Sequence, residues 1–364
     1  MLSAEKIDRV KKLLNKGVRD GVYPGAVLLV AHKGKTVFFE EAGHHSMPPA
    51  APMTLDTVFD LASLTKPLAT SMALMKCVDE GIVDLDQPLG SLLPKPLGNK
   101  KDLTTRLILA HCAGFTDWEP FYLKLVESAP DIRKQLLREW IIEAPLVYRP
   151  GEQTLYSDLG FMILEWVIEE RTTMPMHEFL HRSFYSPLSM NKTFFSGSAF
   201  PMPVEEDQIA ATEDCLWRKR VIKGSVHDEN AFAIGGYSGH AGLFGTAGDI
   251  QTLLNLLMSH FLGNRKDYFK PETVRVFFTR QDLVKGSTWA LGWDTPSPQV
   301  SSSGRYFSEK TVGHLGFTGT SVWMDLEQSV FVIFLTNRVH PSRKNEKIKA
   351  FRPVLHNLVM QEIF

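Results

Sequence analysis

Ser63 and Lys66 are the first residues in the chain whose types and spacing could do chemistry. They lie three positions apart, where a short apolar run ends and a long segment of helical periodicity begins. In a helix that starts near Ser63, residues i and i+3 share a face, so the hydroxyl and the amine point the same way. A hydroxyl is a good nucleophile only when a base takes its proton, and a lysine is such a base if burial or nearby positive charge lowers its pKa. The spacing therefore predicts a serine nucleophile with a lysine partner.

The tetrapeptide Ser-x-x-Lys is not specific by itself. The same spacing occurs at Ser3 and at Ser189, but only Ser63 follows a strand-like run and opens a long apolar helix, predicted over 63–80. The alternative is that Ser63 caps this helix beside a solvated lysine, because serine is a favoured N-cap residue. The tetrapeptide alone leaves both interpretations open.

Tyr156 lies on a short loop between a Pro-Gly turn at 150–151 and a helix predicted from residue 159. A phenolate beside a lysine ammonium can act as a general base, because the positive charge lowers the pKa of the tyrosine. The alternative is a buried tyrosine whose hydroxyl bonds to the protein, which is the commoner fate of a lone tyrosine.

A glycine-dense stretch at 313–319, Gly-His-Leu-Gly-Phe-Thr-Gly, is the third candidate and is expected on a strand. Glycines let a backbone approach a ligand closely, so the N–H of Phe317 is a candidate donor for an oxyanion hole. The alternative is a glycine-rich bend or bulge in a sheet.

The elements that must position these residues come from both ends of the chain. Apolar and β-branched runs predict five strands, at 26–32, 36–42, 312–315, 321–325 and 330–336. The pattern predicts an α+β fold, with one antiparallel five-stranded sheet flanked by helices and an inserted, mostly helical lobe. We expect a discontinuous sheet domain over 1–83 and 237–364, a helical lobe over 84–236, and a site in the cleft between them.

In chain order, the segments Ser63-Leu64-Thr65-Lys66, Tyr156-Ser157-Asp158 and His314-Leu315-Gly316 resemble the three motifs of the penicillin-recognising serine hydrolases. A tyrosine in the second motif is typical of class C β-lactamases, D,D-peptidases and related esterases. Supporting stretches that also resemble this branch are 59–70, 109–115, 150–161 and 239–250. The resemblance covers nearly the whole chain, implies a β-lactamase/transpeptidase-like fold and favours a catalytic role for Ser63 over a capping one.

The resemblance also implies an acyl-enzyme route. Ser63 attacks a carbonyl, Lys66 and Tyr156 share the proton handling, and water then releases the acyl group. The N–H groups of Ser63 and Phe317 hold the oxyanion. No metal or cofactor is needed, and the expected partner is a small acyl substrate: an ester, a peptide or a β-lactam.

Four residues are assigned to substrate binding: Asp158, His314, Gly316 and Arg338. Asp158 stands where class C enzymes usually carry asparagine, and an ionised carboxylate accepts hydrogen bonds but donates none. His314 stands where the third motif usually carries lysine, and an unperturbed histidine is mostly neutral at pH 7. Both departures favour an esterase or peptidase over an efficient β-lactamase. Arg338 is a candidate to recover carboxylate binding; the alternative is a solvated arginine at a strand end.

Two other interpretations of the function stay open. One is a β-lactamase or D,D-carboxypeptidase proper. The other belongs to a different class: a penicillin-binding-like sensor or binding protein without turnover. The presence of Ser63, Lys66 and Tyr156 together favours an enzyme.

Composition narrows the classes of partner. The 364 residues are 44% hydrophobic and 22% charged, with a formal net charge of −1, which predicts no nucleic-acid partner and no anionic membrane surface. No apolar stretch is long enough to span a bilayer, and the charged N-terminal helix lacks the apolar core of a signal peptide. The three cysteines form no disulfide framework, so we expect free thiols and a cytoplasmic protein, with a periplasmic or secreted one as the alternative if a leader was removed.

Other charged clusters are weaker candidates. His44-His45 and His227-Asp228-Glu229 invite a metal site, but neither has the His-Glu-x-x-His spacing of a metalloprotease. We therefore predict no metal site and assign these residues to turns or the surface. The charge run at 343–349 is predicted to be a solvated turn.

Overall fold

The computed structural model describes residues 3–47, 51–197 and 201–364. Within these residues the strands are β1 Gly25–His32, β2 Lys35–Gly43, β3 Phe59–Asp60, β4 Phe194–Phe195, β5 Glu213–Cys215, β6 Arg220–Ile222, β7 Leu243–Gly245, β8 Thr311–Leu315, β9 Ser321–Asp325 and β10 Val330–Thr336. The α-helices are α1 Ala4–Arg19, α2 Met72–Asp79, α3 Leu89–Leu92, α4 Thr105–Leu109, α5 Tyr122–Leu125, α6 Arg133–Glu143, α7 Asp158–Thr172, α8 Met176–Leu180, α9 Glu229–Ala233, α10 Ala247–Phe261, α11 Pro271–Phe278 and α12 Ile348–Ile363.

The main sheet has five antiparallel strands in the order β2-β1-β10-β9-β8. β1 pairs with β10 from Ala26 opposite Thr336 to His32 opposite Val330, so the two ends of the chain meet at the centre of the sheet. The predicted strands agree with the observed ones to within one residue at either end. The α+β class and the five-stranded antiparallel sheet are therefore confirmed.

Alternate residues of β1 face two different cores. Leu28 and Val30 pack in a smaller core that includes side chains of α1 and α12. Val27 and Leu29 pack in the main core, which includes side chains of α2 and α10. Because side chains alternate along a strand, a strand covered on both faces is apolar at every position. This explains the unbroken apolar run that marks β1 in the sequence.

The middle of the chain, 84–236, is mostly helical and contains α3 to α9 with the short strands β4, β5 and β6. Most of α7 is buried, and its side chains belong to the same core as α2 and the sheet. A second sheet, in the order β3-β7-β4, also joins the middle to the rest. The helical insertion is observed, whereas a division into separate domains at 83/84 and 236/237 stays a prediction.

The segment predicted as one helix over 63–80 has three different geometries. A 3-10 turn at Ala62–Leu64 leads into a π-helical turn at Lys66–Ser71, and α2 begins only at Met72. Pro67 has no N–H to donate to the preceding turn. A regular α-helix through this position would therefore lack one of its backbone hydrogen bonds. The prediction of a single regular helix was wrong at its start. At its end, Gly81 has a φ of 73°, as a C-terminal glycine should.

The cysteines are all buried, with free thiols, as the sequence predicted: Cys77, Cys112 and Cys215. A buried thiol packs as a small apolar side chain. Across the described ranges, no helix combines the length and the apolar character needed to cross a lipid bilayer.

Candidate active site

The turn that carries Ser63 is held from both sides by one buried carboxylate. Asp60 Oδ1 accepts a hydrogen bond from the Ala62 N–H at 2.8 Å, and Asp60 Oδ2 accepts one from the His227 N–H at 2.7 Å. Ala62 has a φ of +48°, which a residue with a side chain rarely adopts, so the turn needs this support. The result is that Ser63 projects into a cavity of about 320 Å³.

Lys66 is completely buried next to Ser63. Its Nζ lies 3.2 Å from Ser63 Oγ, 2.6 Å from Asp158 Oδ1 and 3.3 Å from the His240 carbonyl oxygen. An ammonium has three hydrogens to donate, so these three acceptors and the neighbouring Tyr156 hydroxyl share them. Burial acts to lower the pKa of Lys66, but Asp158 and Tyr156 outweigh it and hold the pKa above its usual value. The lowered lysine pKa that the sequence argument required is therefore wrong for the resting protein.

Tyr156 lies against both members of this pair. Its hydroxyl is in hydrogen-bonding contact with Ser63 and Lys66, and its ring centroid is 4.7 Å from Lys66 Nζ. Burial raises the pKa of Tyr156, and the nearby ammonium lowers it by less, so the net shift is upward. The tyrosine is thus in the predicted place, but as a neutral phenol rather than as a phenolate.

Two neutral imidazoles flank the Tyr156 ring. His111 Nδ1 accepts a hydrogen bond from the Ser157 N–H at 3.0 Å, and its ring centroid is 4.7 Å from that of Tyr156. His314 Nδ1 lies 2.8 Å from the Leu315 carbonyl oxygen, to which only an N–H can donate. Burial lowers the pKa of both histidines, that of His314 to about 3. The third motif therefore carries no positive charge, as expected, and His314 lies behind Tyr156 rather than on the cavity wall.

The turn between β8 and β9 is bonded directly to the segment before Ser63. Thr318 Oγ1 donates to the Asp60 carbonyl oxygen at 2.9 Å. A Cβ on Gly316 would lie 2.7 Å from the Leu61 carbonyl oxygen, so only glycine permits this approach. Phe317 borders the cavity, and its N–H makes no hydrogen bond to the described residues. Gly316 is therefore placed where it sets the backbone beside Ser63, and the Phe317 N–H is available to an oxyanion.

The Arg338 guanidinium, predicted to bind a substrate carboxylate, instead binds backbone carbonyl groups of the protein. It is 6% exposed and donates to the carbonyl oxygens of Phe317, Arg343 and Asn345. The arginine that borders the cavity is Arg343, in the segment predicted to be a solvated turn. Its guanidinium lies 2.6 Å from Glu213 and 2.7 Å from Glu229. The charged residues at 343–349 did not indicate these contacts in the sequence, because Glu213 and Glu229 lie in distant segments of the chain.

The cavity is bordered by side chains from both ends and from the middle of the chain: Ala62, Ser63, Asp117, Trp118, Tyr156, Asp158, His227, Asp228, Glu229, His240, Ala241, Phe317 and Arg343. Pairing of β3 with β7 brings the residues before β7 next to those after β3. His240 arrives in this way, with its Nε2 2.9 Å from Asp228 Oδ1. Burial acts to lower the pKa of His240, but Asp228 outweighs it and raises the pKa. Sequence analysis missed this pair because the two residues meet only through the fold.

Asp158, Asp228 and His240 also offer metal-ligand atoms within 4.8 Å of one another. The Lys66 ammonium is already 2.6 Å from Asp158, so a metal ion there would lie beside a positive charge. The donor set therefore fits the hydrogen-bonded arrangement of Lys66 better than it fits a cation site.

Comparison with known proteins gives a consistent result. The profile of a family described as Beta-lactamase matches residues 10–353. A protein of Escherichia coli (strain K12) named "Putative D-alanyl-D-alanine carboxypeptidase" is 30% identical over 93% of this chain and 83% of its own. The protein of the same name from Salmonella agona is 31% identical over 95% of this chain and 85% of its own.

Solved structures share the fold at lower identity. The hydrolase EstCE1, described as having promiscuous acyltransferase activity, superposes with a TM-score of 0.73 at 20% identity, over 96% of this chain and 99% of its own. Unliganded simvastatin synthase from Aspergillus terreus has a TM-score of 0.73 at 17% identity, over 99% of both chains. An octameric penicillin-binding protein homologue from Pyrococcus abyssi has a TM-score of 0.72 at 20% identity, over 96% of this chain and 77% of its own.

Proposed function

Because the chain belongs to the beta-lactamase family, a family of serine hydrolases, we propose that it cleaves an ester or an amide through an acyl-enzyme on Ser63. The observation that carries the proposal is the contact of Ser63 Oγ with Lys66 Nζ at 3.2 Å, with the Tyr156 hydroxyl beside both, at the wall of a cavity. A serine with two proton-exchanging neighbours is the arrangement that nucleophilic catalysis requires.

The charge states define the proton path. The resting ammonium of Lys66 cannot accept a proton until it gives one up, and Asp158 at 2.6 Å is the acceptor in reach. Transfer from Lys66 to Asp158 frees the amine, which then takes the Ser63 proton as the oxygen attacks the substrate carbonyl. Asp158 returns its proton to Lys66 once the acid has been released, which restores the resting ion pair. The N–H groups of Ser63 and Phe317 stabilise the oxyanion.

Tyr156 acts in the second half of the step. Because its pKa is raised, the phenol keeps its proton until a leaving group becomes basic enough to take it. Lys66 then returns the serine proton to the tyrosine oxygen, and the proton count balances. Water enters after the leaving group has departed and releases the acid by the same transfers in reverse.

We propose an esterase or peptidase rather than an efficient β-lactamase. The neutral His314 supports this choice, because it supplies no positive charge for a substrate carboxylate. The proposed substrate-facing groups are the Asp158 carboxylate and the cavity wall. Gly316 positions Phe317, and His314 positions Tyr156. Arg338 acts by holding the Phe317 carbonyl. A D,D-carboxypeptidase is the second candidate, since the relatives cited above carry that name.

We further propose that the cavity is the cleft between a sheet domain at 1–83 with 237–364 and a helical lobe at 84–236. Its wall supports this division, with Ser63 and Phe317 from one part and Trp118 and Tyr156 from the other. The three free thiols support a reducing compartment such as the cytoplasm. The partner is a small acyl substrate and not a nucleic acid, in keeping with the net charge of −1.

The test of the nucleophile is Ser63→Ala with Ser189→Ala as the matched control, since Ser189 is exposed and has the same Ser-x-x-Lys spacing. On p-nitrophenyl butyrate we expect Ser63→Ala to lower kcat/KM by about 10³-fold or more and Ser189→Ala to leave it unchanged. Circular dichroism confirms that both variants are folded. Undiminished turnover by Ser63→Ala would refute the mechanism.

Mass spectrometry of the intact protein separates an enzyme from a binding protein. After exposure to p-nitrophenyl butyrate, the enzyme should show a transient acyl adduct on Ser63 that decays as product appears. A permanent adduct without turnover, formed with either the ester or benzylpenicillin, would establish the sensor alternative instead.

A further inference from the structure

We infer that the cavity selects acyl compounds that carry a cationic group, such as an ammonium, and rejects those that carry a carboxylate. The inference rests on the proposed function, because it concerns which substrates reach Ser63. Its basis is the charge of the cavity wall and the partners of each charged group.

Carboxylates outnumber cations around the cavity. Asp117, Asp158, Asp228 and Glu229 border it, and Glu213 lies directly behind Arg343. Against these five carboxylates stand Arg343 on the wall and Lys66 beneath Ser63. With His240 counted as protonated, five negative charges still face three positive ones.

Each cation is already neutralised by a carboxylate of the protein. Lys66 is bound to Asp158, and Arg343 lies between Glu213 and Glu229. Among the described residues at this cavity, the Nη1 of Arg343 is a cationic group without a protein partner, and a substrate carboxylate bound there would lie beside Glu213 and Glu229. Juxtaposed like charges in a partly dehydrated site oppose binding, so the wall selects against an anionic substrate.

Two carboxylates of the wall have an oxygen free for a ligand. Asp228 Oδ1 accepts from the Ala231 N–H and contacts His240, whereas its Oδ2 has no partner in the described part of the chain. Asp117 Oδ1 accepts only from Thr116 Oγ1 and the adjacent Trp118 N–H. The Trp118 ring is 39% exposed at the same wall, and an aromatic face attracts a cation. A carboxylate next to an indole is a combination that suits an ammonium group.

The experiment compares three p-nitrophenyl esters that differ only at the far end of the acyl chain. They carry a trimethylammonium group, a tert-butyl group of the same shape, or a carboxylate, each at the end of a four-methylene chain. The quaternary ammonium cannot cyclise onto the ester, so the release of p-nitrophenol reports the enzyme. We expect kcat/KM for the cationic ester to exceed that for the neutral one by about fivefold, and the anionic ester to fall below the neutral one by about tenfold.

Variants and salt identify the groups that cause the preference. Asp117→Asn should reduce the ratio of cationic to neutral kcat/KM by about threefold, whereas Glu119→Gln, an exposed acid outside the wall, should leave the ratio unchanged. Addition of roughly 0.5 M NaCl should also reduce the ratio of cationic to neutral kcat/KM, because salt screens partly exposed charges.

The outcomes separate the two levels of the argument. If none of the esters is hydrolysed in a Ser63-dependent manner, the proposed function fails. If all are hydrolysed through Ser63 but the neutral or anionic ester equals or exceeds the cationic one, the function stands and the charge selection is refuted.

Discussion

The carboxylate of Asp158 lies 2.6 Å from Lys66 Nζ and in the first turn of α7, where a negative charge interacts favourably with the helix dipole. An asparagine at this position would leave the buried lysine without a counter-charge. The carboxylate at this position therefore holds Lys66, next to Ser63, in its charged form. The residue that seemed to be a substrate contact acts first on the lysine.

Asp158→Asn should remove the negative charge that raises the pKa of Lys66. The pKa of Lys66 is raised in the folded protein, so Lys66 loses its proton to solvent only as the pH rises toward that pKa, and at lower pH the amine depends on transfer to Asp158. Without the carboxylate, burial dominates and the pKa falls, and the alkaline rise of kcat/KM should move to lower pH by at least about one pH unit. The measurement is a pH–rate profile on p-nitrophenyl butyrate, with the exposed Glu152→Gln as control. A profile that does not move would show that Lys66 is not the titrating base.

At the scale of elements, the site depends on one turn being bonded to another. The turn after β8 donates from Thr318 to the Asp60 carbonyl and packs Gly316 on Leu61. β3 ends at Asp60, whose side chain supports the turn before Ser63. Ser63 and the Phe317 N–H thus share a common anchor, and their separation is set by buried contacts of Thr318, Gly316 and Asp60 with the backbone.

Gly316→Ala tests this anchor. Its Cβ would lie 2.0 Å from Thr320 Oγ1 and 2.7 Å from the Leu61 carbonyl oxygen, so the two turns must separate. We expect a loss of about tenfold or more in kcat and of about 1 to 3 kcal/mol in the free energy of unfolding, as overpacking costs. Gly248→Ala in α10 is the control: its Cβ meets nothing closer than 3.9 Å, and helix propensity favours alanine. Wild-type kcat in Gly316→Ala would contradict the proposed geometry.

The strands were predictable because burial on both faces makes a run such as β1 apolar throughout, and this pattern is local. The ion pairs of the site were not predictable. Asp158 and Lys66 are 92 residues apart, and Arg343 and Glu213 are 130 apart, so their contacts follow from tertiary packing alone. The start of the central helix was misjudged because the effect of Pro67 on a buried turn depends on what surrounds it.

At the scale of the molecule, one buried acid links the sheet to the segment before it. Asp294 pairs with Gly313 of β8 through two backbone hydrogen bonds, and burial raises the pKa of its carboxyl to about 6. The ordinary value is 3.8, so the folded protein favours the protonated form. The contribution of Asp294 to stability is therefore complete below about pH 4 and is lost as the pH rises through about 6, where the carboxyl is half ionised in the folded state.

Asp294→Asn should remove this loss, because an amide stays neutral. We expect the variant to be more stable than the wild type by about 1 to 2 kcal/mol at pH 8, with no gain near pH 4. Urea unfolding at the two pH values measures the difference, and the exposed Asp282→Asn should change stability little at either. An equal effect of Asp294→Asn at pH 4 and pH 8 would show that ionisation is not its cause.

The pairing of β1 with β10 has a consequence for biosynthesis. His32 lies opposite Val330, so roughly 300 residues must leave the ribosome before β1 acquires β10 as its second neighbour. Until then β1 presents an open edge with apolar side chains on both faces, a surface that other chains can pair with. Contacts between such distant segments also form slowly. The nascent protein therefore depends on protection of its first hairpin until its last strand is made.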